Sequence, residues 1–281
     1  MDINEQASAP PETRFLNRPE GRIAYDLYGV GNSGPVAICA PGMGDHRTTY
    51  RHLAPALAAA GWRVAALDLR GHGDSDTGFT DHSTRALADD MTALAEELDG
   101  GPALLIGNSM GGTAAAWAAA ARPDLVRGVV LIAAFLRGEG VQGPMKWALK
   151  LALLRPWGPR FTHSYLSGLF SGRTADDHGD HVGAIRTHLS DRRRFPEIIA
   201  TVGNAFHAPP ARLDDVRAPV LVVMGELDSD FPDPAAEAAW QGERLGAEVL
   251  TVPDAGHYPQ AQRSDVVAPA VVAFARAASR G

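Results

Sequence analysis

Short runs of consecutive apolar residues alternate along the chain with longer segments whose apolar positions recur every three or four residues. Val36 to Ala40, Arg63 to Leu67, Ala103 to Ile106, Gly128 to Ala133, Val220 to Met224 and Ala247 to Val252 have strand length, and continuous rather than alternating hydrophobicity marks strands covered on both faces. Arg22 to Tyr28 alternates in character and reads as an earlier strand. Between the strands, helical segments are predicted at Thr48 to Ala60, at Ser83 to Leu98 with Asp89, Asp90, Glu96 and Glu97 on its wetter face, at Thr113 to Ala121 and at Ala235 to Leu245. Strand and helix in alternation specify an α/β fold with a mostly parallel central sheet and helices on both faces.

The rhythm breaks from Phe135 to about Pro210. Helical pieces near Met145 to Leu154, Phe161 to Phe170, Asp177 to Leu189 and Arg193 to Phe206 are separated by Pro156, Pro159, Gly172 and Arg192, with no convincing strand among them. The expected division is therefore a flexible leader at 1–18, a core made of 19–135 and 211–281, and an inserted all-helical cap at 136–210. An insertion leaving the carboxyl end of a strand would lie over that edge as a lid, and Trp147, Phe161 and Phe170, with Met145 and Leu151, are candidates to line a pocket beneath it. For any one of them, packing the insertion onto the core is the simpler role.

Composition narrows the class. With 281 residues, 45% of them apolar, the chain supports one large domain, and no run is long enough to span a bilayer. Met1 to Arg18 holds no apolar segment, so it does not read as a signal peptide, and a cytoplasmic location is the default. A net charge of −7 argues against a nucleic-acid surface. Lys146 and Lys150 are the only lysines; with the abundant alanine this points to a GC-rich bacterial coding sequence. Cys39, the single cysteine, falls in an apolar run and reads as a buried, inert thiol.

The chemistry centres on Leu104 to Gly112, an apolar run ending in Gly107-Asn108-Ser109-Met110-Gly111 and continuing into an alanine-rich helix. A strand that reverses sharply into a helix can hold Ser109 exposed and strained only between very small neighbours, and the helix start aims free N–H groups at the serine. Ser109 is thus the candidate nucleophile. Pro41-Gly42-Met43-Gly44-Asp45, a glycine-rich loop after another strand, can bring a backbone N–H to the same edge, so the N–H groups of Met43 and Met110 are the candidate oxyanion donors. Asp228, just past the strand ending at Met224, is the candidate acid, with Asp230 its competitor and Glu226 a poorer third. His257, in a loop bracketed by Gly256 and Pro259, is the one of ten histidines placed to act as general base. His72, between two glycines, reads as a structural hydrogen-bonder. Asp176-Asp177-His178-Gly179-Asp180-His181 matches no common zinc spacing and is explained by helix capping. Arg192 to Arg194 read as a solvated face.

The order Ser109, Asp228, His257, together with Pro41 to Gly44, Asp68 to Ser75, Gly107 to Gly112, Gly225 to Asp228 and Gly256-His257, resembles the α/β-hydrolase fold family over nearly the whole chain after the leader. The resemblance implies an acyl-enzyme on Ser109 that water hydrolyses, with no metal or organic cofactor and a small molecule as substrate. Many relatives carry His-Gly where Pro41-Gly42 stands here, so the local hydrogen bonding of that loop differs. A serine at the nucleophile position excludes the haloalkane dehalogenase and epoxide hydrolase branches, which use aspartate. The expected reaction is hydrolysis of a carboxylic ester or thioester of a small to medium apolar substrate. A carbon–carbon bond hydrolase or acyltransferase using the same three groups, and a low-turnover binding or receptor-like member, are the alternatives; oligomeric state is not legible.

Overall fold

A computed structural model of the chain describes residues 11–137, 151–205 and 212–279. Its strands are β1 (Glu12–Arg18), β2 (Gly21–Tyr28), β3 (Val36–Ala40), β4 (Arg63–Leu67), β5 (Ala103–Asn108), β6 (Val126–Ile132), β7 (Val220–Gly225) and β8 (Glu248–Val252). They form one sheet in the order β1-β2-β4-β3-β5-β6-β7-β8. The β1/β2 and β2/β4 pairs are antiparallel and the rest are parallel. The helices are α1 (Leu53–Ala59), α2 (Thr84–Glu97), α3 (Met110–Ala121), α4 (Gly158–Gly168), α5 (His178–Ser190), α6 (Phe195–Ala205), α7 (Pro234–Leu245) and α8 (Ser264–Ala278).

Successive residues of β5 serve opposite faces, as the two-residue period of a strand requires. Leu105 packs with Met91 and Leu94 of α2 and Ala115 of α3, whereas Leu104 and Ile106 pack with Leu53 and Leu57 of α1 and Val267 and Val271 of α8. The sheet is therefore sandwiched between helices, as the uninterrupted apolar runs predict. No helix among the described residues is long and apolar enough to cross a membrane.

Several expectations need correction. Residues 12–18, assigned to a flexible leader, form β1 and pair along their length with β2; residues 1–10 lie outside the described part. The strand is polar because it is an edge strand, with Leu16 as its one fully buried side chain. Asp90, placed on the wet face of α2, is buried and matched by Arg18 of β1 at 2.8 Å and Arg70 at 2.7 Å. The helix expected at Thr48 to Ala60 divides into a 3-10 turn at Arg47–Tyr50 and α1. Pro55 explains the break: lacking an N–H, it is accommodated in the first turn of a helix, which therefore starts at Leu53. Helix α8 has no counterpart among the helices that the sequence pattern predicts.

Between β6 and β7 the described residues form α4, α5 and α6, with an isolated bridge from Gly172 to Ala255. Leu166, Leu169, Ile185, Leu189, Phe195 and Ile198 make a separate apolar cluster that Tyr258 and Ala261 of the core complete. Met145 and Trp147 lie outside the described residues. Arg194 is no solvated side chain, since it donates to the Ser75 carbonyl at 2.7 Å and so ties the start of α6 to the loop after β4.

Candidate active site

Ser109 follows the last residue of β5 and occupies the N-cap position of α3, with φ 55° and ψ −120°. A non-glycine residue in this region stores about 1–3 kcal/mol of strain, tolerated only where the surroundings enforce it. Here they do. A Cβ on Gly107 would lie 2.1 Å from the Gly111 carbonyl carbon, and one on Gly111 would lie 2.2 Å from the Ala40 carbonyl oxygen. Both glycines are required for helix and sheet to approach this closely. Met110 is the first residue of α3, where backbone N–H groups lack an intrahelical acceptor. The loop carrying Met43 lies against the serine, for a Cβ on Gly42 would sit 3.1 Å from Ser109 Cβ.

Asp228 and His257 are brought together by a zipper between the end of β7 and the loop after β8. The Glu226 N–H donates to the Val252 carbonyl at 3.0 Å and the Leu227 N–H to the Ala255 carbonyl at 2.9 Å. Past that zipper the buried Asp228 carboxylate meets His257 Nδ1 at 2.8 Å. Burial opposes protonation of His257, but the Asp228 carboxylate, with help from Asp230, outweighs it and holds the imidazole pKa above its ordinary value. Asp230 approaches the other nitrogen, 3.8 Å from Nε2, and accepts the Tyr165 hydroxyl at 2.6 Å. The Glu226 side chain is exposed.

Four further side chains at the candidate site carry little signal in the sequence that would single them out. Asn108 Nδ2 donates to the His257 carbonyl at 2.9 Å, joining the strand that carries Ser109 to the histidine loop. Gln262 accepts the Gly256 and Tyr258 N–H groups and donates to the Ser171 and Arg173 carbonyls, which fixes that loop from below. Phe135 and Phe231 stack with centroids 4.6 Å apart, and Phe135 lies 5.9 Å from His257, forming an apolar wall beside the imidazole. Their positions, three residues after the end of β6 and three residues after Asp228, are the only clues available beforehand.

His72 behaves as a structural hydrogen-bonder. Its Nε2 accepts the Gly44 N–H at 3.1 Å, so the proton resides on Nδ1, which faces the Arg70 carbonyl at 2.9 Å. Burial lowers its pKa to about 4, and this neutral ring supports the loop on which Met43 sits. Burial likewise raises the Cys39 pKa, in line with an inert thiol. Of the pocket candidates, Phe161 is 42% exposed, whereas Phe170 is buried and stacks on Tyr258 at 4.3 Å. Trp147 lies outside the described residues.

Residues 37–270 match the profile of the alpha/beta hydrolase family. The pimeloyl-[acyl-carrier protein] methyl ester esterase of Neisseria meningitidis serogroup B is 31% identical over 207 residues, which are 70% of this chain and 76% of that protein. The BpoC protein of Mycobacterium tuberculosis is 40% identical over 113 residues, and the chain spans only 41% of its length. A thermophilic esterase from Thermogutta terrifontis superimposes with a TM-score of 0.77 at 22% identity, covering 95% of this chain and 99% of its own.

Proposed function

Because the chain belongs to the alpha/beta hydrolase family, we propose that it is a serine hydrolase cleaving a carboxylic ester or thioester of a small to medium apolar substrate. In this reading Asp228 holds His257 with its proton on Nδ1, leaving Nε2 free to take the proton of Ser109 Oγ. The oxygen attacks the substrate carbonyl, and the N–H groups of Met43 and Met110 meet the negative charge that develops there. Collapse expels the alcohol or thiol, protonated by His257. Water, deprotonated by the same imidazole, then releases the acid and restores Ser109.

The observation that carries this reading is the buried 2.8 Å pair of Asp228 and His257, tied through Asn108 to the strand that presents Ser109. A pure binding protein has no physical need for that pair. Phe135 and Phe231 beside the imidazole favour an apolar acyl or alcohol group. Helices α4 to α6 serve as the cap, held near the site by the His257 N–H, which donates to the Leu169 carbonyl at 3.0 Å. The relative named for a methyl ester supports ester chemistry over carbon–carbon cleavage.

The test is intact-protein mass spectrometry after a fluorophosphonate probe, followed by a panel of esters and thioesters. Wild type is expected to take up one probe per chain, and Ser109→Ala and His257→Ala none. On the best ester, Ser109→Ala should lose about 10⁵-fold or more in kcat. Labelling of Ser109→Ala equal to wild type overturns the reading.

A further inference from the structure

His46 and His181 are buried beside Asp45, and they come from two separate places: the glycine loop after β3 and the inward face of α5. A carboxylate oxygen of Asp45 and one ring nitrogen from each histidine lie within 4.8 Å of one another. Asp45 Oδ1 is 3.1 Å from His181 Nε2, yet the two are not aligned as a hydrogen bond. Asp45 Oδ2, His46 Nε2 and His181 Nε2 are all buried without a hydrogen-bond partner among the described residues. Three unmatched acceptor-type atoms at one point are costly unless something binds them.

The opposite ring nitrogens are accounted for. Thr48 Oγ1 lies 2.7 Å from His46 Nδ1 and 3.1 Å from His181 Nδ1. In the tautomer in which this one hydroxyl oxygen accepts from both Nδ1–H groups, both Nε2 lone pairs face the Asp45 side of the cluster. A shared outer partner that orients two imidazoles is what metal-ligating histidines characteristically have. The 3.1 Å oxygen–nitrogen separation also fits two ligand atoms each about 2.0–2.2 Å from a common ion.

We propose that Asp45, His46 and His181 bind one divalent first-row transition ion of the zinc type, which staples α5 to the glycine loop. Two imidazoles with one carboxylate suit such an ion and not calcium or magnesium, which prefer oxygen donors. Water completes the coordination. The site is separate from the proposed hydrolytic chemistry, which routes no step through it. Local spacing could not reveal it, because neighbouring candidates are otherwise engaged: Asp177 pairs with Arg51 at 2.6 Å, and His178 packs on Phe170 with centroids 4.6 Å apart.

The experiment is a cobalt titration of the chelator-treated full chain followed by visible absorption, with zinc competition and a thermal melt. Folded wild type should saturate at one equivalent with a Kd on the order of micromolar or tighter. Zinc at a hundredfold excess over Kd should raise Tm by roughly 5–10 °C. His46→Ala and His181→Ala should each weaken binding by about 100-fold or more, and Thr48→Val by about 10-fold. His178→Ala should bind as wild type does. Failure of wild type to saturate at one equivalent overturns the proposal, and so does tight binding that survives both ligand substitutions. If those variants do not fold by circular dichroism, X-ray absorption of zinc-loaded wild type decides: two imidazoles on zinc support the site, and fewer than two refute it.

Discussion

Asp228 and Asp230 address opposite nitrogens of one imidazole, and that difference assigns them different work. Asp228 sits 2.8 Å from Nδ1, whereas Asp230 is 3.8 Å from Nε2, the nitrogen that receives the serine proton in the mechanism we propose. Asp228→Asn should therefore cost about 10⁴-fold in kcat by favouring the wrong tautomer. Asp230→Asn should cost less than about tenfold at neutral pH, because no proton passes through it. The pH profile separates the two further. His257 acts as a base only when neutral, and its raised pKa sets the acid limb of kcat/KM above the ordinary imidazole value. Removing the Asp230 charge destabilises the imidazolium, so that limb should move to lower pH in Asp230→Asn. A kcat/KM profile between pH 5 and pH 9 for both variants checks this; a shift to higher pH in Asp230→Asn would place that carboxylate elsewhere in the chemistry.

At the scale of elements, the junction of β5 and α3 tolerates no added atom. Gly111→Ala would drive a Cβ against the Ala40 carbonyl oxygen of β3, a rigid backbone neighbour, and displace the very turn that presents Ser109. A loss of about 3 kcal/mol is expected, read as a fall in Tm of roughly 6–12 °C. Gly183→Ala is the counterpart: its Cβ meets nothing within 4 Å in mid-α5, so Tm should rise slightly, through about 0.5–1 kcal/mol of helix propensity. The same contrast explains which parts of the fold were legible. Buried parallel strands announce themselves because every residue is apolar, and the glycines around Ser109 announce a steric requirement in the sequence itself. Edge strand β1 and helix α8 do not: β1 has only Leu16 fully buried, and its pairing is supplied by backbone hydrogen bonds that any side chains allow. Ser109, Asp228 and His257 stood out because each follows a strand end. Asn108, Gln262 and Phe231 act through contacts formed only on folding, and so does the burial of Asp90 by two arginines.

At the scale of the whole molecule, the insertion and the core are joined through histidines that burial keeps neutral, and this sets the acid limit of the fold. His72 supports the glycine loop, and His188 of α5 accepts the Gly73 N–H at 3.3 Å, with ring centroids 5.6 Å apart. Burial lowers the His72 pKa to about 4 and that of His188 to about 3, against 6.5 for the free side chain. In the unfolded chain both take up a proton as pH falls through 6.5, while the native rings resist until pH 4 or below. Their contribution is therefore complete above pH 6.5 and lost progressively toward pH 4 and 3, together about 8 kcal/mol. His257 has the opposite sign, since its folded pKa is raised; its contribution is complete below 6.5 and fades as pH rises through the folded value. Between pH 6.5 and pH 4 the two neutral rings outweigh the buried Asp68 carboxyl, whose pKa burial raises to about 6 and whose protonation favours the fold, and Tm should drop by roughly 8–16 °C across that interval. His188→Gln keeps an acceptor for Gly73 but cannot titrate, so its melting temperature should depend less steeply on pH than that of wild type. Calorimetric scans at half-unit steps read the slope directly, and an unchanged slope in His188→Gln would mean that the acid sensitivity arises away from the junction of insertion and core.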